Sequence, residues 1–118
     1  MAQGNSIDLG SIQVHKSVIE EIIDAAIRDM EGVSLVEEKL SGTIFRLLGK
    51  KKYPGISIKT LDEGQLSVEV KVIVRYGLNI PETARQIQDT IKMSLDKTVD
   101  LDLKNINVNI HGIERGRR

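Results

Sequence analysis

The sequence holds no cysteine and no tryptophan, and only one phenylalanine, two tyrosines and two prolines in 118 residues. Without cysteine there is no disulfide framework, no thiolate metal site and no cysteine nucleophile. Aromatic residues at 3% leave no platform on which the bases of a single strand would stack. An excess of one charge is missing as well. Lysine plus arginine and aspartate plus glutamate each number 17, so no net field draws the chain to nucleic acid or to an anionic membrane. The longest strictly apolar runs are three residues, such as Val72 to Val74. A membrane-spanning helix needs ~20, so direct membrane insertion is not expected. Met1 to Gly10 has neither a basic start nor an apolar stretch, so no signal peptide is read there and a cytoplasmic location is expected.

What is present is a globular balance, 40% hydrophobic and 29% charged, at a length that suits one domain with one core. Residues 1–9 are expected to be a flexible N-terminus, 10–113 the domain, and 114–118 a basic tail.

Ser11 to His15 alternates, with Ile12 and Val14 on one side, and predicts a short half-buried strand. Ser17 stands three residues before Glu20, the spacing of a capping box. Behind it Ile19, Ile22, Ile23, Ala26, Ile27 and Met30 form one stripe at three- and four-residue steps, a helix over 17–30 that Gly32 is placed to end. Val33 to Val36 begins the next strand. Residues 55–61 and 66–76 flank the loop Asp62 to Gln65, where Gly64 suits a positive φ. Leu66, Val68, Val70, Val72, Val74 and Tyr76 fall on one face of that second strand, and such alternation calls for an antiparallel sheet with one face on the core. Asn79 followed by Pro81 and Glu82 starts a second helix, with Ala84, Ile87, Ile91 and Leu95 as its stripe. The final strand, 104–113, places Ile106, Val108 and Ile110 inward and Asn105, Asn107, Asn109 and His111 outward. The order β-α-β-β-β-α-β, with one apolar face per element, predicts a two-layer α+β sandwich: two helices on one face of a mainly antiparallel sheet.

Few constellations carry chemistry. Gly42 and Gly49-Lys50 have the wrong spacing for a phosphate loop, and Lys51 stands where that motif needs a hydroxyl. His15 and His111 would meet if the terminal strands paired, yet no third ligand is marked, and they read as surface histidines. Asp100 and Asp102 share one side of a strand-like segment; solvated charge near a sheet edge is the preferred reading over acid–base or metal work. No hydroxyl stands at a diagnostic spacing from a histidine, so no catalytic residue, cofactor or metal is assigned. Arg46, Lys50, Lys51 and Lys52 form the one dense basic cluster and are the candidate phosphate contacts. A solvated loop is the preferred reading, and nucleic acid is not the expected partner. Ile44, Phe45, Leu47 and Leu48 are the candidate partner or membrane-surface turn, though folding back over the sheet to complete the core is the preferred reading.

Taken in order, several stretches resemble one family. Gly10-Ser11-Ile12-Gln13-Val14 leads into Val18-Ile19, Ala25-Ala26 and Glu31-Gly32-Val33. Val70 to Val74 follows with Arg75-Tyr76-Gly77, then Ile80-Pro81-Glu82 and Ala84 to Gln88. Ile106-Asn107-Val108-Asn109-Ile110-His111-Gly112-Ile113 closes the series. The chain is similar to the alkaline shock protein family, the envelope stress response proteins of Gram-positive bacteria, over about residues 10–113. The resemblance implies a small cytoplasmic α+β protein without known catalytic activity. It also implies self-association into a homo-oligomer and, as in some relatives, attachment to the membrane through a small membrane-anchored partner. A non-enzymatic stress-response scaffold or adaptor is therefore expected. The alternatives are a regulatory partner of a lipid-synthesis enzyme and a nucleic-acid-binding regulator using residues 46–52. The excursion from Ser41 to Tyr53 aligns with no family motif. Val18, Ile22 and Ile87 read as core, and Gly32 and Gly77 as turns, so function is expected in a surface rather than a pocket.

Overall fold

The computed structural model describes residues 6–9, 12–36, 53–99 and 102–115. In chain order these form strands β1 (Ser6–Leu9) and β2 (Ile12–His15), helix α1 (Lys16–Arg28), strands β3 (Val33–Leu35) and β4 (Ile56–Thr60), and a 3-10 turn (Asp62–Gly64). Strand β5 (Leu66–Arg75), helix α2 (Ile80–Thr98) and strand β6 (Leu103–Glu114) complete them.

Everything is built around β5. Its strict alternation buries Leu66, Val68, Val70, Val72 and Val74 completely, while Ser67, Glu69, Lys71 and Ile73 stay half-exposed on the other face. Onto the buried row α1 lays Ile19, Ile23 and Ile27, and α2 lays Ile87, Ile91 and Leu95, all in one cluster. Both helices therefore cover the same face of the sheet. Each such side chain contributes about 1.5–3 kcal/mol on leaving water. Asn79 caps α2, its Oδ1 accepting the Glu82 N–H at 3.0 Å with a proline in the first turn, as its sequence predicts.

One flank of β5 is shared end to end by two antiparallel strands, β3 opposite Val72–Val74 and β4 opposite Leu66–Val70. Between them Lys71 holds both: its N–H donates to the Gly55 carbonyl at 2.8 Å and its carbonyl accepts the Val36 N–H at 3.0 Å. The other flank belongs to β6, which runs parallel to β5. A parallel neighbour needs a crossover, and α2 supplies it. The β1–β2 pair forms a separate two-stranded antiparallel sheet.

The predicted α+β sandwich is thus present, with the helices on one face and antiparallel pairing dominant. Several particulars differ. A strand, Ser6–Leu9, precedes those the periodicity finds, inside the stretch expected to be a flexible terminus. His15 runs into Lys16 without a loop, so Ser17 lies inside the first turn of α1 rather than capping it. Val18 is 40% exposed, because it sits a third of a turn off the row that faces the sheet, while Ile22 only packs against the core from its margin. Tyr76, placed by alternation on the buried face, is 64% exposed, because the strand ends at Arg75 and the chain turns at Gly77 with φ +98°.

Candidate interaction surface

With both helices on one face, the opposite face of the sheet has no described helix over it. The register aligns its polar residues in rows: Ser67 beside Asn105, Glu69 beside Asn107, Lys71 beside Asn109. Ser57 and Lys59 of β4 flank them opposite Glu69 and Ser67. The Ser67 hydroxyl donates to Asn105 Oδ1 at 2.6 Å, and Asn107 Nδ2 reaches the same oxygen at 3.5 Å. The asparagine ladder is a hydrogen-bonding surface, amide next to amide, with one acid, Glu69, and two bases, Lys59 and Lys71, beside it.

The outer edge of β6 is the second feature. On β5 the even-numbered residues turn their backbone groups toward β6, since Leu66 N–H donates to Asp102 O at 2.9 Å and Tyr76 N–H to Glu114 O at 2.7 Å. Val68 stands opposite Ile106, so in a parallel ladder it bonds Asn105 and Asn107. Ile106, Val108 and Ile110 accordingly direct their N–H and C=O groups outward. One of these is occupied: the Ile106 carbonyl accepts a hydrogen bond from Gln88 Nε2 of α2 at 2.8 Å. The side chains of Leu103, Ile106, Val108 and Ile110 are only half-buried, unlike the fully buried row of β5 beside them.

At the end of the β5–β6 pair Tyr76 and Ile113 are exposed, and the Arg115 guanidinium lies over the Tyr76 ring at 5.1 Å. On the helix side, Tyr53 packs at the margin of the core. Removal from water, and then the carboxylates of Glu21, Asp24 and Glu20, hold its hydroxyl above its ordinary value. Burial likewise raises Glu20, with Lys16 opposing. The chain re-enters the described residues at Tyr53.

The alkaline shock protein 23 family, described as having a cell envelope-related function, matches residues 4–115. The chain belongs to that family. Among curated alkaline shock protein relatives, the uncharacterized protein YqhY of Bacillus subtilis is 27% identical over 90% of this chain and 78% of its own length. The uncharacterized protein Spy1535 of Streptococcus pyogenes is 25% identical over 89% of this chain and 80% of its own. YloU of Bacillus subtilis, also uncharacterized, is 24% identical over 88% of each. No solved structure matches the chain. The alkaline shock proteins are not a known enzyme family.

The sequence-derived candidates fare unevenly. Ile44, Phe45, Leu47 and Leu48, with Arg46, Lys50, Lys51 and Lys52, lie outside the described residues, as does Asp100. Asp102 is exposed where the chain enters β6, and its carbonyl rather than its carboxylate takes part in the ladder. His15 and His111 do not come together across paired strands, because His15 pairs with Ser6 in the separate hairpin while His111 stands at a bulge of β6. Among the described residues no group of three or more His, Asp or Glu is placed to hold a metal ion, and no helix is long and apolar enough to cross a membrane. What sequence reasoning missed is the edge of β6. Its signal was the helix between two strands, the pattern of a parallel crossover, which leaves the second strand free to lie outermost.

Proposed function

We propose that this alkaline shock protein is a non-enzymatic member of the envelope stress response that acts as an oligomerising scaffold or adaptor through protein–protein contacts. It works in the cytoplasm and reaches the membrane through a small membrane-anchored partner. The observation that supports this reading is the sheet itself. One face is a ladder of amides and hydroxyls over which no described helix lies, and its outermost strand offers backbone groups to a neighbour. Such a surface suits strand addition and face packing. Equal numbers of acids and bases favour contact with protein over contact with a polyanion.

Affinity co-purification from a Gram-positive lysate tests it, with membrane and soluble fractions separated and nuclease treatment in parallel. Recovery with a membrane-anchored protein, unchanged by nuclease, supports the adaptor reading. Recovery that nuclease abolishes contradicts it in favour of nucleic acid. Recovery with a soluble lipid-synthesis enzyme alone contradicts the membrane attachment and favours the regulatory reading.

A further inference from the structure

Two parts of the fold are incomplete in complementary ways. Strand β6 is twelve residues long and has a neighbour on one side only among the described residues. Among the described residues its outward Val108 and Ile110 groups have no strand partner, and its apolar row is half-buried. Its stretch from Ile106 to Ile110 has no proline and no inward-pointing charge on the apolar row; the devices that blunt it are a bulge at His111 and the Gln88 side chain over one acceptor. The segment between β3 and β4 leaves from Val36 and returns at Tyr53, both on the opposite flank of β5.

The β1–β2 hairpin is the reverse case. Two strands of four residues form a sheet of their own, and a lone two-stranded hairpin is at best marginally stable in water. Its register sets Ile7 opposite Val14 and Leu9 opposite Ile12, with Asp8 opposite Gln13 and Ser6 opposite His15. By register and alternation Ile7, Leu9, Ile12 and Val14 share one set of positions on the ribbon and Ser6, Asp8, Gln13 and His15 the other, the division that β6 makes between its isoleucine–valine row and its asparagine row. It cannot serve the β6 of its own chain. No residue separates β2 from α1, and α1 lies over β3 and β4, on the far side of β5 from β6.

We infer that the β1–β2 hairpin of one copy adds, through β1, to the outer edge of β6 in a second copy of this chain. The inference rests on the scaffold reading and names the contact by which copies join. A second β6 does not fit the same place. Neighbouring strands lie about 4.8 Å apart, whereas packed helices need about 8–10 Å, and α2 already reaches the edge through Gln88. A β6–β6 pair would drive two α2 helices together, while a hairpin brings no helix laid along it. Apolar residues of the hairpin continue the row of Ile106, Val108 and Ile110, and its polar residues continue the asparagine ladder. The two surfaces in contact differ, so the contact is head-to-tail. Each added copy leaves one hairpin and one edge free, and assembly goes on beyond a dimer.

Sedimentation of the purified full chain tests this with two defective variants. Ile7→Asp/Leu9→Asp spoils the hairpin and leaves β6 untouched. Val108→Pro removes an outward N–H and no bond to β5; it also trims a half-buried side chain at the margin of the core, so its fold is checked first. The wild-type protein is expected to grow in mass with concentration across the micromolar to millimolar range. Each variant alone is expected to remain monomeric, with association weakened at least tenfold and an unchanged far-ultraviolet circular dichroism spectrum. Mixed together, the two variants are expected to form a one-to-one pair and nothing larger, since the mixture holds one good edge and one good hairpin. A symmetric edge-to-edge contact gives no such pair. If either variant fails to fold, deletion of residues 1–9 and Val108→Lys take their places. A monomeric wild-type chain overturns the inference, as does a mixture of monomeric variants that stays monomeric. Association that persists in both folded variants also overturns it, while leaving the scaffold reading standing.

Discussion

Gln88 Nε2 of helix α2 donates to the carbonyl oxygen of Ile106 at 2.8 Å, and so a helix side chain occupies one acceptor on the outer edge of the sheet. The bond joins the crossover helix to the strand it delivers. It also covers part of the edge at which a neighbouring strand would bond. Gln88 is exposed, so its amide exchanges readily between Ile106 and water.

Gln88→Ala is therefore expected to cost the fold little, about 1 kcal/mol for one hydrogen bond at the surface. It frees an acceptor on β6, and self-association should tighten by a few-fold. Chemical denaturation in dilute solution reads the first quantity and sedimentation the second. Unchanged or weaker association would show that the glutamine does not compete for the edge.

Gly55 is expected to resist substitution for a different reason. A Cβ there would stand 3.0 Å from Val36 O, 3.1 Å from Val36 N and 3.1 Å from Lys71 O, all backbone atoms of the β3–β5–β4 junction. Gly55→Ala must push β3 or β4 away from β5, at about 1–3 kcal/mol. Gly77 has open space around it but a φ of +98°, so Gly77→Ala pays only the conformational cost, about 1–2 kcal/mol. Urea midpoints should fall for both. Association should fall for neither beyond what unfolding explains.

The pH dependence follows from Glu20 and Tyr53. Burial raises Glu20 above its ordinary 4.5, so the folded chain holds that proton more tightly than the unfolded one. Its contribution to stability is fully present below the unfolded value and is lost as pH rises through the folded one. Burial, then the α1 carboxylates, raises Tyr53 above 10.0, and the same sign gives a loss of stability as the pH climbs past that value. Glu20→Gln should flatten the stability profile as pH rises above about 4.5, and Tyr53→Phe as it rises above about 10. Thermal unfolding across both ranges checks this. A wild-type slope retained in either variant would assign the loss to other groups.

The part of this fold that could be read from the sequence is the part set by local pattern. The valine alternation of β5, the isoleucine rows of both helices and the Asn79 cap each follow from side-chain periodicity or from one backbone requirement. Tyr76 and Val18 show the limit, because alternation and helical steps do not say where a strand stops or how wide the covered stripe is. Strand order was beyond reach for a different reason. The parallel pairing of β5 with β6, and the isolation of β1–β2, depend on contacts between residues far apart in the chain. The inward residues of β6 were identified correctly, yet nothing in their spacing shows that the strand lies outermost; only the helix between β5 and β6, the pattern of a crossover, pointed to that edge. The apolar and basic residues of 44–52 drew attention in the sequence because they broke the pattern, and they lie outside the described residues.

The most direct test of a contact surface at β6 is amide hydrogen exchange at Val108 and Ile110, followed as a function of protein concentration. In dilute solution both amides face outward without a strand partner, and they should exchange far faster than the Asn107 and Asn109 amides bonded to β5. At high concentration Val108 and Ile110 should slow by an order of magnitude or more while Asn107 and Asn109 change little. Exchange at Val108 and Ile110 that is the same at every concentration would contradict the account.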